Sequence, residues 1–129
     1  MTFDWSEYLK LARELAGKEG SSANEEARLR SSISRAYFAA YCVARKCLID
    51  KGHGIPSGPE GHRYIRDFLQ DSSFEEEKQA GVDLNRLRNR RSQADYDDFM
   101  SNLSAAVEDS LKRSFSVISW AQGSTNERA

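Results

Sequence analysis

The sequence predicts an all-α fold, an up-and-down four-helix bundle with one additional short helix. Two observations carry this reading. Apolar residues recur at three- and four-residue steps through most of the chain, the pattern of a helix with one buried face. Only two prolines and no long Ser/Gly tract interrupt them. At 129 residues the chain makes one domain, placed at residues 1–122, with a flexible C-terminal tail over 123–129. A domain of this size buries roughly two-thirds of its unfolded surface, so it needs neither a disulfide nor a metal to hold it.

The first helix opens at Asp4, an N-cap with Glu7 three residues on, and Phe3 and Tyr8 are spaced for a hydrophobic staple. Trp5, Tyr8, Leu9, Ala12, Leu15 and Ala16 form its apolar face, and Gly17 or Gly20 ends it. Ser22 with Glu25 predicts a capping box for the second and longest helix, which Gly52 terminates. Its buried stripe runs through Ile33, Ala36, Tyr37, Ala40, Tyr41, Ala44 and Leu48, and its many small residues invite close approach by another helix. After the turn-rich "HGIPSGPEG", a short helix places Tyr64, Ile65, Phe68 and Leu69 on one face. The fourth helix uses Ala80, Leu84 and Leu87 and is expected to end or kink within Ser92–Asp95. Asp95 or Asp97 would then cap the last helix, whose stripe is Phe99, Leu103, Ala106, Val107, Ser110, Leu111 and Ile118.

The formal net charge is −1, so the molecule as a whole exerts no pull on nucleic acid or anionic membrane. No signal-peptide pattern opens the sequence and no apolar run is long enough to span a bilayer. Cys42 and Cys47 stand five apart on one helix and point in separate directions, which predicts reduced core thiols in a cytoplasmic protein. Metal-ligand spacings, glycine-rich phosphate loops and CxxC pairs are absent, so neither metal nor cofactor is expected. Of the two histidines, His53 lies in a glycine-rich turn and His62 in the first turn of the short helix, where a neutral surface imidazole is expected.

One segment concentrates charge. "LNRLRNRRSQADYDD", residues 84–98, carries Arg86, Arg88, Arg90 and Arg91 and then Asp95, Asp97 and Asp98 around Tyr96. The plain reading is electrostatic: arginines in a last helical turn meet the negative end of the helix dipole, and acids at the next helix start meet its positive end. The functional reading is that gathered guanidinium groups grip phosphate and stabilise a charged transition state, with a proton-transfer partner supplied elsewhere. Composition alone favours the plain reading.

Three stretches in order, "SSISRAYFAAYCVARKCLIDKG", "GHRYIRDFL" and "LNRLRNRRSQADYDD", resemble the HEPN domain family, over about residues 5–120. The nearest pattern is a bacterial branch with an ADY-type motif. The resemblance implies a four- or five-helix bundle that forms a homodimer. It also implies an association with a nucleotidyltransferase-fold antitoxin and contact with RNA or a nucleotide. Many members are metal-independent endoribonuclease toxins that use an arginine, a polar residue and a histidine at the dimer interface. In some pairs a nearby tyrosine is adenylylated.

Carried over by residue, Arg88 takes the place of the arginine, Asn89 that of the polar residue and Tyr96 that of the modified tyrosine. Ala94 stands where the histidine belongs. A side chain without a transferable proton forfeits a factor of ~10²–10⁴ in rate. The catalytic reading therefore rests on Arg88 and Tyr96, and the binding reading on Arg86, Arg88, Asn89, Arg90 and Arg91. Arg35, which borders the apolar stripe of the second helix, is expected to pair with Asp95 or Asp97. Three functions follow as alternatives: a binding module with little or no catalysis, a ribonuclease with a substitute for the histidine, or a purely structural oligomerising bundle.

Overall fold

The computed structural model describes residues 3–17 and 24–127, with side chains described as far as Gly123. It holds five helices and, among the described residues, no strand: α1 Glu7–Gly17, α2 Glu25–Asp50, α3 Pro59–Gln70, α4 Glu75–Tyr96 and α5 Leu103–Glu127. Helix α2 is the axis. It packs on α1, α4 and α5, while α3 rests mainly on α4.

The small residues of α2 explain its central position. Ser32, Ala36, Ala39, Ala40 and Ala44 are fully buried, so neighbouring backbones come close. At two crossings a serine converts that closeness into a hydrogen bond. Ser32 Oγ donates to Ala12 O of α1 at 2.7 Å, and Ser114 Oγ of α5 donates to Ala36 O at 2.7 Å. The small-residue face is thus consumed within one chain and is not open to a second copy. Leu48, Ile65, Leu69, Leu84, Leu87 and Val117 fill the main core, each of the larger ones contributing about 1.5–3 kcal/mol.

The helix boundaries follow local chemistry, in places differently from the expectation. Asp4 Oδ1 accepts from Ser6 N and Ser6 Oγ, making a turn before α1, and the Phe3 and Tyr8 rings meet at 5.5 Å as the staple requires. Asn24 caps α2 through its side chain, accepting from Glu26 N and Ala27 N. Ser22 lies outside the described residues. Gly52, with φ +98°, closes α2 in the left-handed conformation expected of it, and His53 N returns to Leu48 O at 3.0 Å.

Two larger corrections concern residues 92–102. Helix α4 does not stop within Ser92–Asp95 but continues through Tyr96, with Asp97 as its C-cap. Neither Asp95 nor Asp97 caps α5. The last helix begins at Leu103, after Asn102, whose φ of +53° turns the chain and whose carbonyl accepts from Ala106 N. Phe99 accordingly sits in the connecting loop at 82% exposure instead of in the stripe of α5.

Gly81 reports how tightly α3 and α4 meet. A Cβ added there would lie 2.9 Å from Gln70 Cγ and 3.1 Å from Leu69 Cβ. Replacing a mid-helix glycine by alanine normally stabilises by about 1 kcal/mol. Here overpacking, which costs ~1–3 kcal/mol, outweighs that gain. Gly81→Ala should lower the stability measured by urea unfolding by on the order of 1 kcal/mol; a more stable variant would show that the α3–α4 contact is loose.

Candidate functional site

Because α4 continues to Tyr96, its arginines are not in the last turn, and none of them meets the negative end of the helix dipole. Arg30, from the second turn of α2, does that instead. Its Nη1 donates to Ala94 O at 3.0 Å and Asp97 O at 2.6 Å, with a longer contact to Gln93 O at 3.4 Å, while Nε pairs with Glu26. Arg28 plays the same part for α1, donating from Nη1 to Leu15 O at 2.9 Å. Two arginines of one helix therefore satisfy the carbonyl ends of two others. Neither role is predicted by the sequence reading of local charge. Arg28 and Arg30, two positions apart on a helix, point to opposite sides and so reach two different neighbours.

The continuous helix also disperses the arginine run. Successive residues turn by about 100°, so four arginines in six positions must face different neighbours. Arg90 faces α5, where its Nε meets Asp109 Oδ2 at 2.9 Å. Arg113 joins it, bridging Asp109 at 2.9 Å and the buried Asp83 at 2.7 Å. Burial raises the Asp109 pKa, but the hydrogen bonds from Arg113 and Arg90 outweigh it and hold the carboxyl below the usual range. Arg91 faces α2. Its guanidinium lies over the Phe38 ring at 5.5 Å and the Tyr37 ring at 5.8 Å. It pairs with Asp95 at 2.9 Å as an ionic contact, because Nε lacks hydrogen-bond geometry to any partner. Arg86 is exposed, as is Asn89. Arg88 is half-buried and, among the described residues, makes no ion pair or hydrogen bond.

Arg35 does not pair with Asp95 or Asp97. It stacks on Phe38 at 4.7 Å and on Tyr8 at 5.3 Å, and Asp95 belongs to Arg91 and Ser34 Oγ instead. The aromatic faces of Tyr8 and Phe38 take the guanidinium in place of the expected carboxylate. Nor are Arg88 and Tyr96 brought together. Eight residues of unbroken helix separate them by roughly 12 Å along the axis and turn them about 80° apart. Tyr96, 73% exposed, instead shares an outward stripe with Arg86, Asn89 and Gln93. Ala94 is 4% exposed and packs with Ile33, Ala106 and Val107. The position expected for a catalytic histidine is part of the core.

What does lie near Arg88 is a buried aromatic cluster. Tyr37 and Tyr41 stack at 5.7 Å, and the His62 ring sits 5.9 and 6.1 Å from them. His62 is not a surface imidazole; it is 3% exposed. Its Nδ1 is 3.3 Å from Tyr37 Oη, and its Nε2 is buried without a partner. Gly61 makes this possible, because a Cβ there would lie 2.5 Å from the Tyr41 hydroxyl. Burial, reinforced by the charges of Arg88 and Arg66 and opposed by Asp67, pushes the His62 pKa down to about 4. Burial and the neighbouring Tyr41 push Tyr37 up to about 12, against the pull of Arg88 and Arg91. At neutral pH both groups are uncharged, and neither has a pKa near the range that general acid–base catalysis requires. His53 is different again: its Nδ1 meets Tyr64 Oη at 3.0 Å, with Phe68 edge-on at 4.5 Å.

The His62 shift is also a statement about stability. Its folded pKa lies below the ordinary 6.5, so the fold favours the neutral ring. The contribution is intact above about pH 6.5, is lost as pH falls toward 4, and amounts to on the order of 3 kcal/mol at full protonation. Urea unfolding at pH 7.5, 5.5 and 4.5 should show this loss beyond that of His62→Phe. Parallel pH profiles for the two proteins would mean that His62 is solvated.

The chain matches the HEPN domain model over residues 7–124. Comparisons with curated proteins and with solved structures returned no match. The matched span includes α1 to α4 in full, α5 except its last three residues, the arginine run and Ala94, so the chain belongs to the HEPN domain family.

Proposed function

We propose that this HEPN domain acts by binding and not by catalysis, as the partner module of a nucleotidyltransferase-associated or toxin–antitoxin-like system. The observation that carries the proposal is the burial of Ala94. A missing histidine at an open position could be replaced by a neighbour, but a position closed by Ile33, Ala106 and Val107 has no room for substrate. Asp95, the adjacent carboxylate, is engaged by Arg91 and Ser34. Tyr96 is eight residues from Arg88 on a continuous helix and cannot share a reacting atom with it within one chain.

The same geometry supports a surface function for α4. Arg86, Asn89, Gln93 and Tyr96 line one exposed stripe, which suits contact with a protein partner or a nucleotide. Tyr96 at 73% exposure is accessible to an adenylylating enzyme. A homodimer, if formed, would use this stripe in preference to the small-residue face of α2.

Incubation of the purified protein with single-stranded RNA tests the reading. No cleavage is expected at micromolar protein. Ala94→His should stay inactive and lose ~1–3 kcal/mol of stability, because the ring enters a filled site. RNA cleavage by the native chain that is abolished by Arg88→Ala would replace the binding module with a ribonuclease.

A further inference from the structure

The arginines of α2 form a second feature, distinct from the α4 stripe. Arg35, Cys42 and Arg45 stand at seven- and three-residue steps on α2, which keeps them on one side of the helix. Arg88 and Arg91 border that side from α4. Phe38 joins the two helices, since its ring meets both the Arg35 guanidinium at 4.7 Å and that of Arg91 at 5.5 Å. The charges of Arg45 and Arg88 bear together on Tyr41, and those of Arg45 and Arg35 on Cys42, so these three guanidinium groups form one electrostatic patch that Arg91 adjoins through Phe38.

Only Arg91 has a carboxylate partner, Asp95. Among the described residues, Arg35, Arg45 and Arg88 make no ion pair and no hydrogen bond. All three are nevertheless half-buried, not extended into water. Guanidinium groups held against aromatic faces lose little entropy on binding and are weakly hydrated, so they accept a carboxylate at low cost. Arg35 is held in this way on Tyr8 and Phe38, and with Arg45 and Arg88 it makes three guanidinium groups without acceptors in a protein of net charge −1.

We propose that this α2–α4 face docks an acidic helix of a partner protein. Arg35 and Arg45 are ten residues apart, about 15 Å along α2, which spans close to three turns of a helix lying alongside. Carboxylates two to three turns apart on that helix would reach the arginines, and Phe38 and Cys42 lie between them as a less polar centre. The aromatic rings argue against single-stranded nucleic acid. Phe38 lies beneath two guanidinium groups and one face of Tyr41 is stacked on Tyr37, which leaves little ring surface for a base. The proposal rests on the reading of the chain as a binding module but concerns a different helix face.

Fluorescence anisotropy tests it with two labelled probes, a helical Glu/Ala/Leu peptide with glutamates at seven-residue spacing and a single-stranded RNA of twenty nucleotides. The full chain should bind the peptide in a salt-sensitive manner. Arg35→Gln with Arg45→Gln should weaken it at least tenfold, whereas Arg63→Gln, at an exposed arginine of α3, should not. Circular dichroism melts confirm that each variant is folded. Peptide binding that is unchanged in the double variant, or RNA bound more tightly than the peptide, would overturn the docking proposal. RNA cleavage in the same mixtures would overturn the binding-module reading separately.

Discussion

The arrangement depends on one side chain reaching from α2 to the end of α4. Helix carbonyls left without donors at a C-terminus cost free energy when they are removed from water. Arg30 answers the carbonyls of Ala94 and Asp97 with a single guanidinium, itself only 16% exposed. Hydrogen bonds from a charged donor of this kind are worth ~1.5–3 kcal/mol each. That contact lets α4 run unbroken through a segment rich in charge, and everything else about the candidate site follows from the continuity.

An unbroken α4 has three consequences. It turns Ala94 inward against Ile33 and Val107. It gives each arginine a different neighbour: Asp109 for Arg90, Phe38 and Asp95 for Arg91, the tyrosine–histidine cluster for Arg88, and solvent for Arg86. It also separates Arg88 from Tyr96. A segment that looks like one concentrated site in the sequence is, in three dimensions, a set of structural contacts with two outward surfaces between them.

Much of the fold was legible because periodicity survives in the long helices. The stripe of α2 from Ile33 to Leu48 and the Ala80–Leu84–Leu87 face of α4 reappear as core. The errors share a physical cause: local charge was read without knowing what lay across the bundle. Asp95 looked like a cap because it follows a polar run, yet Arg91 four residues back holds it inside the helix. Arg35 looked like a salt-bridge partner because its charge must be compensated, yet Tyr8 and Phe38 supply π faces. His62 looked exposed because it opens a short helix, and only tertiary packing on Tyr37 and Tyr41 buries it. The absence of a histidine at position 94 was visible in the sequence; that the position is closed was not.

The most direct measurement of the central claim is amide hydrogen exchange at Gln93, Ala94, Asp95, Tyr96 and Asp97, compared between the native chain and Arg30→Ala. The account predicts slow exchange through Asp97 in the native chain, where Asp97 N bonds Gln93 O at 3.0 Å. It predicts a local loss of protection in Arg30→Ala, with Leu84 and Leu87 still protected. Fast exchange from Ser92 onward in the native chain would contradict it, since α4 would then end before Ala94 and the position of the histidine would be open.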